Sequence, residues 1–270
     1  MNKMKISVVI ASAIFALAAN AMAGKVVLEG STTVLPIAQK AAETFMKANP
    51  AADMSVRGGG SGVGLASLID GNCDIADASR PIKPAELEKA ARKKRDLKAN
   101  VIAMDCIAAI VNPSNKVGAL TRVQLKDIFT GKISNWSKVG GADQKIVVVS
   151  RDSASGTFEA FATLALDMKR VRPDAIVQAA NQGVASVVSR TPGAIGYVGL
   201  GYVSAAVKAL VLDGVVPSRR TVLSNKYPLT RPLFMYTNGK PRGDVKAFID
   251  FIKSAEGQKL VEEEGFVGLK

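Results

Sequence analysis

The sequence predicts an α/β fold made of two lobes, and three features of its 270 residues indicate this. Short apolar strand patterns alternate with helical patterns along the chain, which is typical of largely parallel sheets covered by helices. The alternation restarts near residue 112, after a long apolar run that ends at an Asn-Pro pair. A hydroxyl-rich turn precedes a helix on both sides of this restart. We therefore expect a second lobe inserted into the first, with a ligand in the crevice between strand ends.

In the first half of the chain, each element follows from its local pattern. Helix 33–48 carries Ile37, Ala41 and Phe45 on one face and stops at an Asn-Pro pair. The apolar run 101–111 predicts a long buried strand. The other predicted elements of this half are strand 25–29, strand 54–57, a glycine-preceded helix that ends near residue 69, strand 74–78 and helix 84–97.

In the second half, strand 146–150 leads through a Ser-Gly-Thr turn into helix 156–166. Helix 245–252 has its apolar residues at helical spacing. The remaining predictions are helices 123–129, 182–189 and 258–264, and strands 194–197, 209–212 and 233–236. The chain thus divides into residues 24–111 as the first part of lobe 1, 112–206 as lobe 2, and 207–270 as the return to lobe 1 with the C-terminal helices.

The first 23 residues predict export. A basic start at Lys3 and Lys5 is followed by a short apolar run and by Ala21-Met22-Ala23, a small-x-small cleavage site. The apolar run is short for a membrane span. We therefore expect a signal peptide over residues 1–23, cleavage after Ala23 and a periplasmic mature protein that begins at Gly24.

The composition limits the possible functions. A formal net charge of +13 attracts anions. Nucleic acid is not expected as a partner, because an exported chain seldom meets it and the few aromatic residues are too scattered to stack bases. The basic run 83–98 is interleaved with acids and predicts a solvated helix face. The chain has no histidine, the commonest general base and metal ligand. We therefore expect no catalytic residues, no metal and no cofactor.

Cys73 and Cys106 are the only cysteines. An even pair in an oxidising compartment is compatible with a disulfide. Both cysteines lie in apolar, strand-like segments, which equally suits two buried thiols. The sequence leaves the two alternatives open.

Three turns have the composition of anion-binding helix starts. The strongest is Arg151-Asp152-Ser153-Ala154-Ser155-Gly156-Thr157, where an arginine and hydroxyls precede a helix. Free N–H groups and the positive end of the helix dipole favour an anion at such a start. The segments 30–36 (Gly-Ser-Thr-Thr-Val-Leu-Pro) and 58–64 (Gly-Gly-Gly-Ser-Gly-Val-Gly) form the other two turns. Each of these is also compatible with a simple helix cap or a tight turn. A strand end with Ser79 and Arg80 beyond it adds a second cation, for which a structural salt bridge is the alternative.

These segments also resemble a known family. The order Gly-Ser-Thr-Thr-Val-x-Pro, Gly-Gly-Gly-Ser-Gly, Asp-Ile-Ala-x-Ala-Ser-Arg, Arg-x-x-x-Ser-Gly-Thr, Pro-Gly-Ala-Ile-Gly-Tyr and Tyr-Pro-Leu-x-Arg-Pro-Leu is similar to the phosphate-binding proteins of phosphate-specific ABC transporters. The resemblance covers essentially the whole mature chain. It implies a two-lobed type II periplasmic binding protein fold with phosphate in the cleft. It also implies a monomer that closes over the anion and delivers it transiently to the permease membrane subunits.

Carried over by position, the resemblance implies a set of phosphate-binding residues. They are Thr32, Thr33, Ser61, Ser79, Arg80, Arg151, Ser155, Gly156 and Thr157. The best-known members have an aspartate where Arg80 stands, and that aspartate accepts the phosphate proton. With Arg80 in its place, phosphate selection over sulfate needs another basis. A receptor for sulfate or molybdate is therefore an alternative, and a secreted phosphatase is a weaker one.

Overall fold

The computed structural model describes residues 24–269, so the predicted signal peptide, residues 1–23, lies outside the described part of the chain. Strands and helices alternate as the sequence predicts. The strands are β1 (Val26–Gly30), β2 (Met54–Gly58), β3 (Ile75–Ala78), β4 (Leu97–Val111), β5 (Ala119–Leu120), β6 (Val147–Arg151), β7 (Ile176–Gln178), β8 (Ala194–Gly199), β9 (Lys208–Ala209), β10 (Val211–Leu212) and β11 (Thr230–Asn238). The helices are α1 (Leu35–Ala48), α2 (Ser61–Asp70), α3 (Pro84–Arg92), α4 (Arg122–Phe129), α5 (Gly156–Ala165), α6 (Asn181–Arg190), α7 (Arg219–Leu223), α8 (Gly243–Lys253) and α9 (Ala255–Glu263).

The main sheet runs in the order β2-β1-β3-β11-β4-β8-β6-β7, with β9 paired to β4. Parallel pairs lie at both ends, where β1 pairs with β2 and β3 and β6 pairs with β7 and β8. The central strands β11, β4 and β8 pair antiparallel. The α/β prediction is confirmed, and the antiparallel centre joins two parallel halves.

The long strand β4 belongs to both halves. Its first part, from Leu97 to Cys106, pairs with β11, whereas Ile107 to Val111 pair with β8. One core lies between β1, β11 and the helices α1, α8 and α9, and α2 covers the other face of that sheet. A second pair of cores surrounds β6 and β8, under α5 on one side and α6 on the other.

The buried cores do not divide at residues 112 and 207, the lobe boundaries that the sequence predicts. Leu210, Leu212, Tyr227 and Leu229 are buried in the core that contains Ile107, on the second half's side. We therefore place the second lobe at residues 106–229 and the first lobe at 24–105 and 230–269. The chain crosses between lobes near the middle of β4 and at the start of β11, where the apolar pattern of the sequence does not change.

Helix α3 also differs from its predicted extent, because it ends at Arg92 rather than at 97. Lys94 has a φ of 54°, and Arg95 N–H donates to the Ala90 carbonyl at 2.9 Å. The left-handed turn at Lys94 ends the helix. Glycine is the usual residue at such a helix end, so a lysine does not predict it from the sequence. Only Ala90 of the helix is buried, so the prediction of a solvated basic face is confirmed. Within residues 24–269, the helices are all too short or too polar to span a bilayer.

The structure contains Cys73 and Cys106 as free, buried thiols. They lie in different cores, one beneath α2 and the other in the second lobe. Burial raises the pKa of Cys73 to about 11 and raises that of Cys106 further. Both groups therefore remain protonated and act as small apolar side chains.

Candidate functional site

Several buried polar side chains from the two lobes meet between the ends of strands and the starts of helices. We call this group the polar cluster. It contains Thr32, Thr33, Ser61 and Ser79 of the first lobe, Arg151, Ser155, Thr157 and Asn181 of the second lobe, and Arg231 at the start of β11. Each is less than 9% exposed, although all carry polar groups. Polar groups that are this deeply buried need hydrogen-bond partners. The cluster is therefore an organised interior site rather than a group of surface side chains.

The first turn presents the hydroxyls of Thr32 and Thr33 to the second lobe. Ser31 N–H donates to the Asp77 carbonyl at 2.8 Å, and Thr33 N–H donates to Ser31 Oγ at 3.1 Å. A side chain on Gly30, whose φ is 142°, would collide with Asp77. Glycine therefore permits the close approach of β1 to β3 that starts the turn. Thr33 Oγ1 then lies 2.9 Å from Thr157 Oγ1 across the lobes.

The glycine turn before α2 places Ser61 at the helix start. Ser61 Oγ accepts a hydrogen bond from Ser79 N–H at 3.0 Å, which joins the second turn to the end of β3. The N–H groups of Gly60 and Gly62 donate to Gly30 and Ala154 carbonyls at 2.8 and 3.0 Å. Two N–H groups of this turn are therefore used within the protein, whereas the Ser61 N–H, at the first position of α2, has no acceptor within its helix.

Arg151, the last residue of β6, carries a buried positive charge. Its Nε and Nη2 donate to the Gln178 and Ala179 carbonyls at 3.0 and 2.8 Å, and Nη2 also reaches Thr32 Oγ1 at 3.2 Å. Its Nη1 is buried without a hydrogen-bond partner among residues 24–269. Burial lowers the pKa of Arg151 below its ordinary value, but an arginine stays protonated. A buried cation whose partners are neutral carbonyls and a hydroxyl attracts an anion.

Helix α5 begins beside this cation. Ser155 caps the helix, because its Oγ accepts a hydrogen bond from Phe158 N–H at 3.1 Å. The N–H groups of Gly156 and Thr157, the first two residues of the helix, have no acceptor within the helix. They are available for an oxyanion at the positive end of the helix dipole.

Arg231 is a second cation of the cluster, which the sequence analysis did not select. Its Nε and Nη2 donate to Asp105 Oδ2 at 3.0 and 2.8 Å, and this pair joins β11 to β4. Its Nη1 donates to Thr157 Oγ1 at 3.1 Å, and Nη2 lies 3.3 Å from Thr33 Oγ1. The signal was present in the Tyr-Pro-Leu-x-Arg-Pro-Leu segment, which contains Arg231.

Asn181 is a second residue that the sequence analysis missed. It starts α6, is fully buried and donates from Nδ2 to Thr32 Oγ1 and Thr33 Oγ1, each at 3.1 Å. Its Oδ1 accepts from Gly199 N–H at 3.2 Å. No motif marks Asn181 or Asp105, because each is a single polar residue whose partners are distant in sequence.

Arg80 is the predicted site residue whose contacts differ from expectation. It is buried, but its Nη1 and Nη2 donate to the two carboxylate oxygens of Glu86 at 2.8 and 2.7 Å. Its Nε lies 2.6 Å from Glu159 Oε2. This last contact is an ion pair without hydrogen-bond alignment, since Arg80 Nε has no aligned acceptor in the described part of the chain. The guanidinium is thus committed to two carboxylates, and its contacts do not support the prediction that it binds the anion.

The charges of the cluster favour an anion. Arg151 and Arg231 supply two positive charges, and the carboxyl group of Asp105, outside the cluster as defined, pairs with Arg231. Burial raises the pKa of Asp105, although Arg231 and the Leu200 N–H oppose this rise. Asp77 lies nearby in β3 with both carboxyl oxygens buried and unpartnered among the described residues. Burial raises its pKa well above the ordinary value, because the loss of solvent disfavours the ionised carboxylate.

Two α/β lobes joined by crossing strands, with an anion site between them, define the class of periplasmic binding proteins. The family model described as a PBP superfamily domain matches residues 17–256. The phosphate-binding protein PstS of Bacillus subtilis is 37% identical over 246 residues, which cover 90% of this chain and 80% of that protein. PstS of Borreliella burgdorferi is 36% identical, covering 89% of this chain and 88% of that protein. The chain therefore belongs to the PstS family within the PBP superfamily.

Solved structures agree with this assignment. A phosphate ABC transporter substrate-binding protein from Clostridium perfringens, solved with bound phosphate, has a TM-score of 0.86 and 35% identity, covering 91% of this chain and 100% of that chain. An ABC-type phosphate transport receptor from Vibrio cholerae has a TM-score of 0.75 and 32% identity, covering 90% of this chain and 100% of that chain. The predicted type II periplasmic binding protein fold is confirmed.

Proposed function

We propose that this chain is the extracytoplasmic receptor for inorganic phosphate of an ABC transporter, and that it binds phosphate in the polar cluster. It acts as a receptor rather than an enzyme, and no bond is made or broken. The observation that carries the site is Arg151, whose buried Nη1 lacks a partner among residues 24–269 and lies beside the free N–H groups at the start of α5. A tetrahedral oxyanion satisfies both kinds of donor at once.

The finer parts of this proposal follow from the sequence and the family. The receptor is released into the periplasm after cleavage behind Ala23, acts as a monomer and docks transiently on the membrane subunits of the permease. The first lobe supplies Thr32, Thr33 and Ser61, and the second lobe supplies Arg151, Ser155, Gly156 and Thr157. Arg231 and Asn181 support the threonine hydroxyls through the hydrogen bonds described above. Ser79 joins them through Ser61.

Calorimetric titration of the mature protein with phosphate tests this function, and repeating it with sulfate present tests selectivity. We expect saturable phosphate binding with weaker competition by sulfate. Among the described residues of the site, the carboxyl group of Asp105 is already engaged by Arg231. The two cations attract a dianion more strongly than a monoanion. Phosphate affinity should therefore hold or rise as pH passes upward through the second ionisation of phosphate.

Other results of these titrations would change the assignment of the ligand or of the residues that bind it. Strong loss of phosphate affinity at high pH, together with indifference to sulfate, would show that a carboxyl group accepts the phosphate proton. Asp77 would then be the first residue to test. Tight sulfate or molybdate binding without phosphate binding would change the ligand assignment. Turnover of a chromogenic phosphate ester would indicate a phosphatase.

Gly156→Ala should weaken phosphate binding while leaving each lobe folded. A methyl group at this position would lie 2.8 Å from Ser79 Oγ and deep inside the contact distance of Ser61 Oγ, both in the opposite lobe. Closure would then require strain of about 1–3 kcal/mol, which corresponds to a roughly 5- to 150-fold higher Kd. Calorimetry measures the Kd, and thermal unfolding without phosphate checks the fold.

Gly118→Ala is the matched control, because a methyl group there meets nothing within 4 Å. It should bind phosphate like the parent. Equal affinities for Gly156→Ala and Gly118→Ala would mean that the lobes do not close at Gly156 when phosphate binds.

A further inference from the structure

Four charged residues at the rim of the polar cluster form a network that crosses the two lobes. Arg80, Lys83 and Glu86 belong to the first lobe, at the end of β3 and the start of α3. Glu159 belongs to the second lobe, in the first turn of α5. Glu159 Oε2 lies 2.6 Å from Arg80 Nε, and Oε1 lies 2.8 Å from Lys83 Nζ. One carboxylate of the second lobe is thus held between two cations of the first.

Contacts within the first lobe hold the two cations in place. The two terminal nitrogens of the Arg80 guanidinium donate to the two carboxylate oxygens of Glu86, and Nη1 also donates to the Pro81 carbonyl at 2.9 Å. Glu86 Oε2 accepts Lys83 N–H at 2.8 Å as part of the capping box of α3. Burial alone would raise the pKa of Glu86, but the hydrogen bonds from Arg80 and Lys83 bring it below the ordinary value. Arg80 is therefore oriented before Glu159 arrives, with its Nε edge facing the second lobe.

We propose that Glu159 is an affinity-determining residue of this receptor that does not touch phosphate. It positions the second lobe through Arg80 and Lys83 and thereby stabilises the closed state. This inference rests on the proposed function, because closure over phosphate is what the contact would stabilise. It also assigns a role to Arg80, whose guanidinium faces two carboxylates instead of the anion.

Closure of the lobes and the contacts of Glu159 are thermodynamically linked. The contacts of Arg80 with Glu86 lie within one lobe and persist when the lobes separate, whereas both contacts of Glu159 cross the lobes and break. The apparent affinity of a receptor scales with the fraction of molecules in its binding-competent state. The side chains of Arg80 and Glu159 are only 5% and 17% exposed with the lobes in contact, so solvent screens this pair less than a surface pair.

Glu159→Gln tests the proposal, with Asp167→Asn as the matched control. Both changes replace a carboxylate of the second lobe by its amide, but Asp167 pairs with Lys126 inside that lobe. Stopped-flow measurement of phosphate association and release separates the two rates. We expect Glu159→Gln to release phosphate about 5- to 20-fold faster with association changed less than twofold, because the contact forms only after closure. Asp167→Asn should match the parent in both rates.

A double-variant cycle identifies the partner. Lys83→Met alone should accelerate release, whereas adding it to Glu159→Gln should change release less than twofold, because its partner has been removed. If Glu159→Gln releases phosphate at the parent rate, the proposal for Glu159 is overturned. The proposed function stays intact in that case, because the parent and the variant both bind phosphate. An absence of phosphate binding by the parent would instead overturn the proposed function and this inference with it. Unfolding curves for each variant verify that the lobes are folded.

Discussion

Replacement of Arg151 with alanine will cause the largest loss of phosphate affinity of any single substitution in the polar cluster. The guanidinium is held by the Gln178 and Ala179 carbonyls, so its Nη1, which has no partner among the residues that the structure describes, is fixed in place before phosphate arrives. A charge-assisted hydrogen bond of this kind contributes about 1.5–3 kcal/mol, which is a roughly 10- to 150-fold change in Kd. The anion left facing a neutral side chain increases this loss.

Calorimetry of the mature protein measures this effect, with Arg170→Ala as the control. Arg170 is an exposed arginine of the same lobe, so its replacement removes the same charge from the surface and not from the buried cluster. We expect Arg170→Ala to bind phosphate within twofold of the parent. If Arg151→Ala does the same, then Arg151 does not contact phosphate.

Replacement of Arg231 with methionine will cause the largest loss of stability. Arg231 is 3% exposed, and its partner Asp105 is fully buried. Removal of one member of a buried ion pair leaves the other without compensation and costs about 3–5 kcal/mol. The variant also loses the hydrogen bonds to Thr33 and Thr157, so phosphate affinity should fall with stability. Urea unfolding without phosphate measures the change in the free energy of unfolding.

The pH dependence of this loss has a defined sign. Burial already raises the pKa of Asp105 in the parent, and removal of Arg231 eliminates the main opposing charge. A carboxyl group whose folded pKa is raised stabilises the fold when it is protonated and loses that contribution as pH rises through the folded value. The destabilisation of Arg231→Met relative to the parent should therefore be smaller in mildly acidic buffer than in mildly basic buffer.

A second substitution separates stability from binding. Asp105→Asn in the Arg231→Met background removes the orphaned charge, so part of the stability should return while phosphate affinity stays low. A destabilisation of Arg231→Met that does not depend on pH, with no recovery in the double variant, would show that packing rather than charge causes the loss.

The sequence alone determined the fold class and the turns of the site. The alternation of strand and helix patterns predicts the α/β architecture, because burial periodicity depends on local geometry. The turns that carry Thr32, Ser61 and Thr157 were found because a hydroxyl or glycine before an apolar helix is a local signal. The structure brings these three residues and Arg151 into one cluster.

Only the tertiary structure decided which residues from distant segments become partners. Asn181 and Asp105 are ordinary polar residues in the sequence, and each acquires its role from groups more than 80 positions away or from another lobe. Arg80 was expected to meet the anion, yet Glu86 and Glu159 occupy its guanidinium. The lobe crossings inside β4 and at the start of β11 are equally invisible in the apolar pattern. An ion pair or a strand crossing is a relation between segments, and its energy depends on distance and burial, which exist only once the chain is folded.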